Sequence, residues 1–310
     1  MTLIIRDYVP ADRQAVAAMM RAALPYLVTT PQLVDAQVTA APVAQHFRML
    51  VADDDGRIVG CARVGLLTDT SEPGQGNANL NVAAADRGRG IGSALLTAAE
   101  RHLAEVGATT VYTSVTGDPA SRSFAEHHGY RQGRSATFFR LDLAPGAPLP
   151  DPPPLPDGFT VLPAAAFADD PRPLYEADEE SVRDEPGDVA ADAMSYADWR
   201  VQTWDRPGFD ADLTTAVVVD GVVAALAIAH TDGRERYWSG GTGTRRAYRG
   251  RGLAKAAKTH SLHLARAAGF KEAFTNNDDG NEPMLAVNRW LGYRPCGSEW
   301  RYIRDLPARA

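Results

Sequence analysis

A glycine-rich segment occurs twice in this chain, each time between a short strand-like run and a helix-like run. Arg87-Gly88-Arg89-Gly90-Ile91-Gly92-Ser93 is matched by Arg249-Gly250-Arg251-Gly252-Leu253-Ala254-Lys255. Arg87 precedes a Gly129-Tyr130 pair by 42 residues, and Arg249 precedes a Gly292-Tyr293 pair by 43. Two marks at one spacing, repeated, indicate a duplicated fold unit. Between the marks Ile91, Leu95, Ala98 and Val106 fall near helical spacing, Gly107 ends the run, and Thr109 to Thr113 is rich in β-formers. The second copy repeats this with Leu253, Ala257, Leu264, Ala268, a stop at Gly269 and a strand at Lys271 to Thr275. The fold class expected is α/β, with two tandem units of about 150 residues, a usual domain size.

The boundary between the units is proline-dense. Residues 144–158 (APGAPLPDPPPLPDG) can neither continue a helix nor supply a full set of ladder donors, which predicts a semi-rigid, extended connector. The strand-like runs Thr137 to Leu141 before it and Phe159 to Leu162 after it support domains at 1–143 and 159–310, although a long surface loop would read the same way.

Composition narrows the class. With 45% hydrophobic residues, a formal net charge of −7, no long apolar span and no N-terminal signal pattern, a cytoplasmic globular protein is expected. No Lys/Arg run or basic-aromatic stripe points to nucleic acid, and nothing points to a membrane or a metal. Cys61, in the strand candidate Ile58 to Val64, and Cys296 form no metal or redox pattern and read as unpaired thiols.

A glycine-rich turn before a helix converges backbone N–H groups on an anion at the positive end of the helix. A Walker loop would end in Gly-Lys-Ser/Thr, whereas Gly92-Ser93 and Ala254-Lys255 do not. A dinucleotide fingerprint needs one residue more than either copy has between its glycines.

The pattern that fits is Arg-x-x-Gly-x-Gly/Ala. With the downstream Gly-Tyr ending, it resembles the GCN5-related N-acetyltransferases, in which this loop binds the pyrophosphate of acetyl-coenzyme A. The resemblance covers about residues 3–143 and again 159–304, so the whole chain looks like a tandem member. It implies a mixed sheet splayed open at its fourth strand, here Asn79 to Ala83 and Gly241 to Thr244, with coenzyme along Arg87 to Ser93 and Arg249 to Lys255. A bulge there would free the backbone of Val82 or Thr244 to bind the thioester carbonyl.

The same resemblance implies an N-acetyltransferase that joins acetyl-CoA and a primary amine in a ternary complex. An alkyl ammonium of pKa around 10.4 must lose a proton to attack, and the leaving thiolate must gain or be offered one. The family's tyrosine for the second task is missing in both halves: Ala125 stands at its place in the first and Asn288 in the second, where Asn281 also retains the family's coenzyme-binding asparagine and the first half has Asp118. An amide can hydrogen-bond sulfur but cannot protonate it. These differences favour the second half as catalytic, with the first binding coenzyme or supporting the fold. Catalysis in the first half, and a non-catalytic acyl-CoA sensor or scaffold, remain as alternatives.

Between Asp169 and Asp198 stand eleven acidic residues, among them Asp178, Glu179, Glu180, Asp184 and Glu185, against Arg172 and Arg183. The segment occupies the acceptor-binding position of the second half, so it either attracts a cationic small-molecule or peptide amine or forms a solvated face. Glu179 and Glu180 are the candidate proton acceptors. Tyr196, Trp199 and Trp204 line a pocket or pack a core, and His230 is a further base candidate or a hydrogen-bonded structural histidine. A tandem chain could mimic the dimer of single-domain relatives, so either a monomer or a homodimer is compatible.

Overall fold

The structure, a computed structural model, describes residues 3–183, 187–190 and 192–307. Asp184 and Glu185 lie outside the described residues. The chain divides into two compact units, Met1–Ser135 with Ser298–Ala310, and Ala136–Gly297.

In the first unit the chain runs β1 (Leu3–Asp7), α1 (Arg13–Ala23), α2 (Pro31–Thr39), β2 (Arg48–Asp54), β3 (Arg57–Leu66), β4 (Gln75–Val82), α3 (Ile91–Glu105), β5 (Thr110–Thr116) and α4 (Pro119–His127), then enters β6 (Arg131–Asp142). Strands β1 to β4 pair antiparallel in order, and β5 runs parallel to β4. That parallel pairing covers only Gln75 to Asn77, so the strands part beyond it. Helix α3 lays Ile91, Leu95, Leu96, Ala99 and Leu103 on Val59, Ala62, Val64 and Ala78, an apolar stripe at helical spacing against alternating strand positions.

The second unit repeats the plan with β7 (Thr160–Pro163), α5 (Arg172–Val182), α6 (Tyr196–Trp199), β8 (Thr215–Val219), β9 (Val222–Thr231), β10 (Arg236–Thr244), α7 (Leu253–Ala267), β11 (Glu272–Asp278) and α8 (Glu282–Leu291), and leads into β12 (Arg294–Asp305). Strands β7 to β10 are antiparallel, while β11 pairs parallel with β10 only over Arg236 to Trp238. Alternate residues of β9 face opposite layers. Leu226 and Ile228 pack with Leu174 and Ala177 of α5, whereas Ala225 and Ala227 pack with Leu253 and Ala257 of α7.

The last strand of each unit comes from the other half of the sequence. Residues Glu299–Asp305 of β12 pair with β5, and fully buried Tyr302 joins the first core. Residues Ala136–Asp142 of β6 pair with β11, and Leu141 and Leu143 join the second core. The units therefore differ from the segments 1–143 and 159–310. A strand edge offers unpaired N–H and C=O groups that either copy of the last strand can satisfy, and periodicity does not say which does.

Residues 144–158 form no helix or strand, as the prolines require, but they are not a free spacer. Arg266 donates to Ala147 O at 2.9 Å, His263 lies 2.9 Å from Pro150 O, and Leu155 packs beside α7 residues, so the segment is a strap of the second unit. Cys61 is buried and Cys296 half-buried, both as free thiols.

Candidate active site

The two glycine loops share one backbone. Gly88 and Gly90 have φ of 76° and 81°, Gly250 and Gly252 have 77° and 75°, and the second of each pair caps a fifteen-residue helix. A Cβ at any of the four would meet nothing within 4 Å, so glycine is needed for its torsion and not for want of space. The loops face open space with helix amides behind them, a cradle that fits a pyrophosphate. Ile91 and Leu253 anchor the first turns in the cores. Gly92 packs its backbone near the Phe124 ring, Ser93 Oγ lies 3.1 Å from His128 Nε2, Ala254 is half-buried, and Lys255 Nζ stands 4.3 Å over the Trp290 ring.

The arginines divide the loops. In the first, Arg89 is held by Asp54 at 3.0 Å and Asp86 at 2.6 Å, and Arg87 by Asp118 at 3.3 Å. Arg57 beside it holds the Asp86 carboxyl down to about 2. In the second, Arg249 donates to Thr244 O at 3.1 Å, and Arg251 stacks near Tyr248 and Phe159 with no ion pair among the described residues.

Behind the loops the strands part. Ala83 N–H donates to Val59 O and Arg245 N–H to Ala224 O, which in an antiparallel ladder turns the N–H of Val82 and of Thr244 away from the neighbouring strand and into the gap. The gaps differ. In the first unit the β3–β4 register is unbroken and the Asn79 side chain accepts the Ser114 N–H across the opening at 2.9 Å. In the second the β9–β10 register shifts between Ser239 and Thr242, a bulge at Gly240-Gly241 rather than at Thr244. It opens on a cavity of about 160 Å³ lined by Trp238, Ser239, Thr242, Lys258, Asn277 and Met284.

Three titratable groups surround that bulge. A Cβ placed on Gly241 would lie 3.2 Å from Asp178 Oδ1, and one on Gly240 would lie 3.1 Å from His230 Nδ1. Burial pushes the Asp178 carboxyl up to about 6, moderated by the Trp199 indole N–H that it accepts at 2.8 Å. Burial takes His230 down to about 3, and its ring nitrogens have no hydrogen-bond partner among the described residues, so it is neutral and not a tethered structural histidine. The third group is Lys258, 1% exposed, whose ammonium burial lowers to about 7 and which donates to Asn288 Oδ1 at 2.8 Å. Asp178 and Lys258 come from α5 and α7 and so approach from opposite faces of the sheet.

Of the residues singled out in the sequence, Asn288 is fully buried here, its amide engaged by Lys258 and by Asn277 Oδ1 at 2.5 Å. Asn281 caps α8 by accepting the Met284 N–H. Glu179 is buried and accepts the Met194 N–H, while Glu180 pairs with Arg245 at 2.8 Å and accepts the Arg246 N–H. The Glu180 contacts fasten α5 beside the second loop rather than leaving that carboxylate open. Tyr196, Trp199 and Trp204 stack on one another and pack the core behind Asp178. Sequence reasoning missed Asp178 as an individual, and it missed Lys258, whose signal was a lysine four residues before core Leu262 on the helix.

Residues 45–132 match the profile described as Acetyltransferase (GNAT) domain, and residues 173–293 match that described as Acetyltransferase (GNAT) family. The chain belongs to the GNAT acetyltransferase family. A mycothiol acetyltransferase of Nocardioides sp. is 27% identical over 222 residues, 67% of this chain and 72% of the relative. A GCN5-related N-acetyltransferase from Sphaerobacter thermophilus shares the fold at a TM-score of 0.72 and 22% identity, over 98% of this chain and 95% of that one. A tandem GNAT protein from the clavulanic acid biosynthesis pathway does so at 0.74 and 20%, over 99% and 100%. The two-domain GNAT architecture thus spans the chain, and the family uses acetyl-CoA as co-substrate. Among the described residues no helix is long and apolar enough to cross a membrane, and no group of His, Cys, Asp or Glu is placed to hold a metal.

The halves of this GNAT protein are unequal. Nine residues after Arg249 stands Lys258; nine after Arg87 stands Leu96, 4% exposed in the first core. At the place equivalent to Asn288 the first half has Ala125, also in that core. The first half thus has apolar packing where the second has a polar cavity.

Proposed function

We propose that this GNAT protein transfers an acetyl group from acetyl-CoA to a cationic primary amine, small-molecule or peptide, by direct attack in a ternary complex, with turnover in the second half. The observation that carries this reading is the Gly240-Gly241 bulge, which joins a coenzyme-type loop to a polar cavity with titratable groups on both faces.

The second-half loop, Arg249 to Lys255, binds the pyrophosphate, and the outward Thr244 N–H with the bulge backbone polarises the thioester carbonyl. Asp178, ionised at neutral pH but of raised basicity, accepts the proton of the incoming ammonium. Glu179 adds to the negative side of the site that draws a cation, while Glu180 steadies Arg245. Asn281 and Asn288 order α8 and the cavity wall. In the first half the loop Arg87 to Ser93, with the Val82 N–H behind it, binds coenzyme without turnover, because Leu96 and Ala125 put apolar side chains at the places of Lys258 and Asn288 and the strand has no bulge.

The test is thiol release from acetyl-CoA across a panel of amines. Release above hydrolysis with at least one cationic amine is expected; calorimetric binding of acetyl-CoA with no release for any amine would establish a binding module instead.

A further inference from the structure

Lys258 is a lysine in a place that ordinarily excludes one. Its side chain ends inside the second unit's cavity, 1% exposed, and its Nζ has as partners the Asn288 amide oxygen at 2.8 Å and the Tyr293 ring at 5.3 Å. The side chains facing it come from three elements and a connection: Asn288 from α8, Asn277 and Thr275 from β11, Ser239 and Trp238 from β10, and Tyr293 between α8 and β12. Among the described residues no carboxylate faces it. A buried ammonium without a counterion is held at a large desolvation penalty, so an apolar residue of the same length would be the stable choice. The first half makes that choice with Leu96.

We infer that Lys258 is the catalytic acid of the second half, donating its proton to the departing thiolate from within the gap between β10 and β11. This rests on the acetyltransferase reading above. The family's tyrosine position holds Asn288, which has no acidic proton, and Asn288 here presents the lysine to the cavity instead. The ammonium of the acceptor gives one proton to Asp178, and its nitrogen forms the C–N bond to the acetyl carbon. The C–S bond breaks, and the sulfur takes a proton from Lys258. The nitrogen's second proton passes through solvent to reload Lys258, and Asp178 releases its proton to solvent, which leaves an amide, a free thiol and one proton. Burial lowers the lysine to about 7, so it is protonated in part at neutral pH and gives its proton up readily.

The test is Lys258→Met in the full chain, with Lys258→Gln as a second variant should the first not fold. Expected are retained acetyl-CoA affinity by calorimetry, kcat lower by about 100-fold or more, and loss of the alkaline limb by which wild-type kcat falls as the acid deprotonates. A lysine lowered on folding destabilises the fold where it is protonated, so the Tm of the variant should exceed wild type at pH 6 and the difference should shrink toward pH 9. An unchanged kcat, a surviving alkaline limb, or a Tm difference independent of pH would overturn the assignment. If the wild type itself releases no thiol with any amine, the acetyltransferase reading falls and this role falls with it; an active wild type with an equally active variant sinks the lysine alone.

Discussion

The indole N–H of Trp199 donates to Asp178 Oδ2 at 2.8 Å while the carboxylate's other oxygen, Oδ1, borders the Gly240-Gly241 bulge. One oxygen is fixed by the aromatic core of α5 and α6, and the other faces the bulge.

Asp178→Asn is expected to stabilise the protein at pH 7 while lowering kcat by about 100-fold. The folded pKa is raised from 3.8 to about 6, so the folded state holds its proton more tightly than the unfolded one. Stability of the wild type therefore rises as pH falls from 7 through 6 toward 4, and the penalty at pH 7 is up to about 3 kcal/mol. Denaturant unfolding at pH 4.5 and 7 checks this: the variant's advantage should be nearly full at 7 and fall to about a third of that at 4.5. Trp199→Phe removes the bond that holds Asp178 down, so the acid limb of kcat should move to higher pH, with a stability loss of about 1–3 kcal/mol.

Substituting the paired loop glycines with valine separates the halves. A β-branched residue at φ near +75° or +81° is strained by more than the 1–2 kcal/mol of an ordinary side chain there, about enough to displace the loop. Gly252→Val should abolish turnover and one calorimetric coenzyme site, while Gly90→Val should remove only the other site. Turnover lost with Gly90→Val alone would place catalysis in the first half.

Gly243→Ala tests how α5 is held. A Cβ there would overlap both Cβ and Oγ of Ser181, so helix and strand must separate and carry Asp178 away from the bulge. A loss of about 1–3 kcal/mol in urea unfolding is expected, together with lower kcat. The double variant Ser181→Gly with Gly243→Ala should recover much of the loss of contact, whereas Ser181→Ala should not, because Cβ remains.

What the sequence determined by itself was the local chemistry. The repeated Arg-Gly-Arg-Gly turns, the helices from Ile91 and Leu253 with stops near Gly107 and Gly269, and the Gly-Tyr marks follow from torsional preference and apolar spacing, which act over a few residues. The lost tyrosines were legible too, because position within a motif is a matter of counting. The tertiary structure decided which last strand completes which unit, since Glu299–Asp305 and Ala136–Asp142 are both strands that could close an open edge. It moved the bulge to Gly240-Gly241, a register shift set by the β9 partner. It also picked Asp178 from an acidic run and sank Lys258 beneath Asn288 of α8, because burial and desolvation depend on what packs around a charge and not on the residues beside it in the chain.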